Sequence, residues 1–169
     1  MQHPANNFIH ITCKSKWGID PEVKNTPQIT CDTSDEFFKR NEFTYDLIFI
    51  DGLHHSDQVQ RDFENSLRYL TDNGFIVIHD CLPENEQGTK VPRATRVWWG
   101  DVYKFCMNIG CYHGIKYVTY NIDNGCMVVR KDDTAIGQVV EYGTTYSDYI
   151  KLRRIAMNVK AAPTCYENL

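Results

Sequence analysis

Two apolar runs constrain this chain more than anything else in it: "YDLIFID" at 45–51 and "FIVIHD" at 75–80. Neither alternates polar with apolar residues, which predicts strands of a parallel sheet buried on both faces. Between them Val59, Phe63, Leu67 and Leu70 recur at i, i+4, i+8 and i+11. That spacing lays one apolar stripe along a helix running from Ser56, its cap, to about Leu70. The "DNG" after it predicts the helix end, with Gly74 as a left-handed cap. Strand, helix and strand within about 35 residues make a βαβ unit, whose crossover is right-handed.

The remaining segments extend that unit. "SKWGID" (15–20) and "PQITC" (27–31) read as short strands, and 33–41 as a short helix capped by Thr33 or Ser34. Helical pattern returns at 96–109 and at 146–159. "IKYVTYNI" (115–122) and "GCMVVRK" (125–131), separated by "DN", read as a hairpin. The fold class is α/β: a Rossmann-like, mostly parallel sheet with helices on both faces and a C-terminal antiparallel hairpin. The length of 169 residues suits one domain. Residues 1–131 are expected to form it, with 132–169 an extension packing on the same domain.

Composition narrows the function classes. A net charge of -4 gives no basic footprint for nucleic acid. No apolar run approaches the roughly 18 residues of a membrane span, and "MQHPANNF" has no signal-peptide character. Seven cysteines, none in a C-x-x-C pair, predict reduced, mostly buried thiols of a cytoplasmic protein.

The chemistry is expected where the strands end. Open α/β sheets bind ligands beyond the carboxyl ends of their strands. Asp51 ends one such strand, and His79–Asp80 end the next. Adjacent strands lie about 4.8 Å apart, so these residues converge if the two strands pair. Two carboxylates and an imidazole suit a divalent cation. The bland alternative is that each acid caps the following helix. His54, three residues past Asp51, can face the same pocket as a general base, since an imidazole titrates near neutrality. His55 reads as a bystander. Asp20 and Asp35 add acids near two further strand ends.

At these residues the chain resembles class I S-adenosylmethionine-dependent methyltransferases, most closely the small enzymes associated with sugar and surface-glycan biosynthesis. "WGIDP" (17–21), "TSDEFF" (33–38), "YDLIFIDGLHHSDQVQRDFENSLRYL" (45–70), "GFIVIHDCLP" (74–83) and "WWGDVYKF" (98–105) carry the likeness. The resemblance implies a seven-stranded sheet with its last strand antiparallel. It implies that Asp20 binds the ribose of S-adenosylmethionine, that Ser34 and Asp35 lie by the adenine, and that Asp51 faces both cofactor and acceptor. It implies a divalent cation such as Mg on Asp51, His79 and Asp80, with His54 as base. Many relatives carry an acid where this chain has His79. The family's first strand and its E-x-G-x-x-x-G loop have no counterpart in these residues. Pro4, Asn6 and Asn7 correspond to the segment just after that strand, with Asn7 a cofactor contact, so the domain reads as N-terminally incomplete.

Trp98, Trp99 and Tyr103 either line an acceptor site or belong to the core of a helix. The expected activity is O-methylation of a sugar or other small hydroxylated acceptor, with no nucleic acid or membrane partner and self-association left open. The alternative is a truncated or degenerate Rossmann-like domain without activity, acting as a partner subunit.

Overall fold

A computed structural model of the chain describes residues 8–162. It divides into two compact units, residues 1–43 and 44–169. In the first, β1 (Gly18–Ile19) and β2 (Ile29–Thr30) pair in parallel, followed by α1 (Ser34–Lys39). Thr33 caps α1, its side chain accepting the Glu36 N–H at 3.2 Å. Asp20 closes β1, and its backbone N–H donates to the Thr30 carbonyl.

The second unit contains β3 (Tyr45–Ile50), α2 (Ser56–Tyr69), β4 (Leu70–Ile78), α3 (Val102–Asn108), β5 (Ile115–Asn121), β6 (Cys126–Lys131), α4 (Tyr146–Ala156) and β7 (Val159–Ala161). Its sheet has the order β3-β4-β6-β5-β7. β3 and β4 are parallel, β6 is antiparallel to both its neighbours, and β7 runs parallel to β5. Only β6 therefore opposes the common direction, so the sheet is mostly parallel with an antiparallel hairpin, as the patterning predicts.

Strand alternation explains where the core sits. Ile50, Ile76, Ile78, Met127 and Val129 point to one face and are buried. Against them pack Val59 and Phe63 of α2, Val102, Phe105 and Cys106 of α3, and Tyr149 and Ala156 of α4. Phe63 is the hub, fully buried with its ring 5.3 Å from Phe105 and 5.2 Å from Tyr112. α4 belongs to the same core. Its capping box, Thr145 with Asp148, fixes where it starts. Beyond it the Thr119 hydroxyl donates to the Met157 carbonyl at 2.7 Å.

Several local expectations are corrected. β3 is not buried on both faces: Leu47 and Phe49 are 58% and 56% exposed. β3 is the edge of its sheet, and the three helices of this unit join the core on the Ile50 side. Gly74 is no helix cap. The chain passes straight from α2 into β4 at an extended Leu70, and Gly74 lies inside the strand. A Cβ there would come within 3.0 Å of the Asp46 carbonyl oxygen, so close packing is what requires glycine. Helix α3 starts at Val102 rather than near 96, because the Gly88 carbonyl accepts the N–H groups of both Trp99 and Gly100 and draws that stretch out of the helix. β7 carried no sequence signal. Of the cysteines, Cys81 and Cys106 are buried, whereas Cys13, Cys31 and Cys111 are exposed, since they sit in loops and at a short helical end. No helix among the described residues is long and apolar enough to cross a membrane.

Removing the hub ring leaves a cavity that the surrounding aromatics cannot fill. Phe63→Ala is expected to destabilise the fold by about 3–5 kcal/mol, read as a shift of the urea denaturation midpoint without loss of cooperativity.

Candidate active site

The parallel register sets Ile50 opposite Ile78, so β3 and β4 end level. The His79 N–H continues the ladder to the Ile50 carbonyl at 3.1 Å. Asp51 and His79 are therefore neighbours, with His79 Nδ1 3.1 Å from Asp51 Oδ1. Asp80 follows in the left-handed region at φ 58, uncommon for a residue with a side chain. The β5–β6 turn holds it there. Cys81 N–H donates to the Gly125 carbonyl at 3.2 Å, and Leu82 N–H to the Asn124 carbonyl at 2.7 Å. That turn is itself left-handed at Asp123, Asn124 and Gly125. A Cβ on Gly125 would meet Leu82 at 2.5 Å, so the two loops fit only with glycine there.

The loop after β3 brings in His54. Its Nδ1 lies 3.2 Å from Asp80 Oδ2 and 3.2 Å from the Trp98 carbonyl, and its Nε2 3.5 Å from Asp51 Oδ1. The ring stacks on Trp98 at 5.1 Å and 14°. The 98–101 segment presses against it: Asp101 N–H donates to the His54 carbonyl at 3.1 Å, and Gly100 is so close that a Cβ would fall 1.8 Å from the same oxygen. Asp101 also caps α2 from a distance, its Oδ1 accepting the Ser56 N–H at 2.7 Å. Ser56 is thus the first helical residue rather than the cap. Trp99 and Tyr103 are buried at 2% and 3% exposure and belong to the core; of the three aromatics, Trp98 borders the site.

The charges are strongly coupled. Burial pushes the Asp51 carboxyl up, but hydrogen bonds to His54 and His79, and their charge, outweigh it and hold the group well below the usual carboxylate range. Burial disfavours charge on His79, yet the bond to Asp51 and the nearby Asp80, Asp51 and Asp123 carboxylates raise it to about 9. His54 is raised by Asp51 and Asp80 against the same burial. Asp80 is raised, mainly by burial, with the two imidazoles pulling the other way. His79 and Asp51 therefore face each other as imidazolium and carboxylate.

The ligand atoms of Asp51, His54 and Asp80 all lie within 4.8 Å of one another. Two carboxylate oxygens and one imidazole nitrogen fit a divalent cation. The converging set contains His54, whereas the sequence pointed to Asp51, His79 and Asp80. His79 also lies by both acids, its Nδ1 3.1 Å from Asp51 Oδ1 and 3.6 Å from Asp80 Oδ1, and it reaches the hairpin, its Nε2 3.3 Å from Asp123 Oδ2 but out of line for a hydrogen bond. Asp123 is a site residue that the sequence did not disclose, because "DN" between two strands signals only a turn.

Asp20, Ser34 and Asp35 belong to the first unit. Asp20 is 5% exposed, and its Oδ1 accepts the Glu22 N–H at 2.9 Å. Ser34 and Asp35 open α1. Asn7, with Pro4 and Asn6, lies outside the described residues.

Residues 5–81 match a family described as a methyltransferase domain. Among solved structures, the SAH-bound methyltransferase PaMTH1 of Podospora anserina is similar, with a TM-score of 0.51 and 18% identity. The match covers 63% of this chain and 49% of that one, so the chain spans about half the length of its neighbour. The chain thus shares its fold with that methyltransferase, and residues 5–81 match methyltransferase-domain sequence.

The raised His79 gives a signed expectation. A group at about 6.5 unfolded and about 9 folded stabilises the protein fully below the first value, and that contribution disappears as pH rises through the second. Chemical denaturation at pH 6 and pH 10 should show His79→Gln closing part of the gap in stability between the two, on the order of 2 kcal/mol. An unchanged gap would place the His79 charge elsewhere.

Proposed function

We propose that this chain is an S-adenosylmethionine-dependent methyltransferase acting on a hydroxyl of a sugar or other small hydroxylated acceptor, assisted by a divalent cation such as Mg. The observation that carries the reading is the convergence of Asp51, His54 and Asp80 at the carboxyl ends of adjacent parallel strands. The methyltransferase-domain match and the SAH-bound neighbour support the choice of methyl donor. In this reading Asp20, Ser34, Asp35 and Asn7 serve the cofactor.

Methyl transfer needs the acceptor oxygen in line with the methyl group, so positioning carries much of the rate. A cation held by Asp51 and Asp80 would lower the pKa of the acceptor hydroxyl. The chain's own task is to orient that hydroxyl and accept its proton. Both His54 nitrogens face carboxylates, which hold the ring toward its charged form. His54 can act as base only when that hold is relaxed, with Asp51 and Asp80 engaged elsewhere. The Trp98 ring and carbonyl keep the imidazole oriented meanwhile.

Calorimetry with SAH, and methyl transfer with and without a chelator, test this reading. His54→Ala is expected to lower turnover roughly 100-fold or more while leaving SAH affinity intact. Asp51→Ala should lower both turnover and cation dependence. Full turnover in both variants would end the mechanism, and absence of SAH binding would favour the non-catalytic partner-subunit reading.

A further inference from the structure

Next to the acidic cluster the chain places a short segment of opposite sign. Residues 87–100, "QGTKVPRATRVWWG", contain Lys90, Arg93 and Arg96 and no acid, in a chain of net charge -4. Lys90 is matched by Glu86, Nζ to Oε1 at 3.5 Å. Arg93 has no carboxylate partner among the described residues. Its Nε–H donates to the Thr95 carbonyl at 3.0 Å, and a second N–H donates to the Arg96 carbonyl. Its guanidinium sits 5.8 Å from the centre of the Trp98 ring. Trp98 is fixed in turn, its Nε1–H donating to the Lys90 carbonyl at 2.7 Å while the ring stacks on His54.

Two backbone anchors and an aromatic ring thus hold an exposed guanidinium in one place, with the rest of its donor fork turned to solvent. An arginine fork of this kind suits a carboxylate or phosphate, which it binds with little further loss of side-chain freedom. The guanidinium offers an anionic ligand a point of attraction at the Arg93 side of the site. One ring, Trp98, contacts both that guanidinium and His54.

We infer that Arg93, positioned by Trp98, recognises an anionic group on the acceptor, so that the substrate class is a hydroxylated small molecule bearing a carboxylate or phosphate. This rests on the reading of Asp51, His54 and Asp80 as the site that receives the hydroxyl. The acceptor lies with its hydroxyl toward that cluster and its charge on the guanidinium. Arg96 adds long-range attraction to the same end, and the anion accounts for specificity where the hydroxyl alone would give little.

The test is binding of three probes to the intact chain, monitored by tryptophan fluorescence in the presence of saturating SAH: D-glucuronate, D-glucose 1-phosphate and D-glucose. At least one anionic sugar should bind tenfold or more tightly than glucose, and which one does distinguishes a carboxylate from a phosphate. Arg93→Gln should reduce that sugar to the level of glucose, and Arg93→Lys should restore only part of the difference. Equal or undetectable binding of all three by the unaltered chain would overturn the inference, as would preference retained in Arg93→Gln. Calorimetry with SAH alone separates the alternatives. An SAH affinity unchanged in Arg93→Gln supports a role toward the acceptor, whereas a tenfold loss would put the guanidinium on the methyl donor and overturn it. If the unaltered chain fails to bind SAH, it is the methyltransferase reading that falls.

Discussion

The level ending of β3 and β4 is the constraint on which the site depends. Parallel pairing with Ile50 opposite Ile78 leaves the next residue of each strand beside the other, and both are ionisable. A register one residue away would turn the Ile face of β4 outward as well as separating Asp51 from His79. The core and the site are therefore specified by the same pairing. Burial of Ile76 and Ile78 against Phe63 and Met127 fixes the register, and the register delivers the carboxylates.

Two loops then convert that alignment into a cluster. The β5–β6 turn supports Asp80 from one side with backbone hydrogen bonds, and the 98–101 segment supports His54 from the other. Both supports rely on a glycine, Gly125 and Gly100, at a left-handed position where no side chain fits. A backbone pinned on both sides tolerates the unfavourable dihedral of Asp80, a cost of about 1–3 kcal/mol that is commonly stored where chemistry is done.

Much of this was legible in the sequence. The βαβ unit comes from unbroken apolar runs around a helical stripe, and the strand-end acids from where those runs stop. The hairpin comes from its turn. The illegible part depended on contacts distant in sequence. Asp101 caps α2 from 45 residues away, a bond no local pattern announces. The approach of His54 to both acids depends on contacts between its loop and the 98–101 segment. Asp123 looks like an ordinary turn residue until the turn is seen lying over β4. The exposure of Leu47 and Phe49 was missed because an apolar run reports hydrophobicity and not position within a sheet.

Cys81 has a further meaning. It directly follows Asp80, is wholly buried, and lies 3.4 Å from the Cys106 sulfur inside the core, with its own thiol donating to the Ile78 carbonyl. Most loops at the mouth of an α/β sheet can open locally at little cost in free energy, but this one is moored at its third residue to the interior of the domain. Opening it would require pulling a sulfur out from beside α3. Local opening of the backbone around Asp80 would therefore disturb the core itself. The site is rigid where it holds charge.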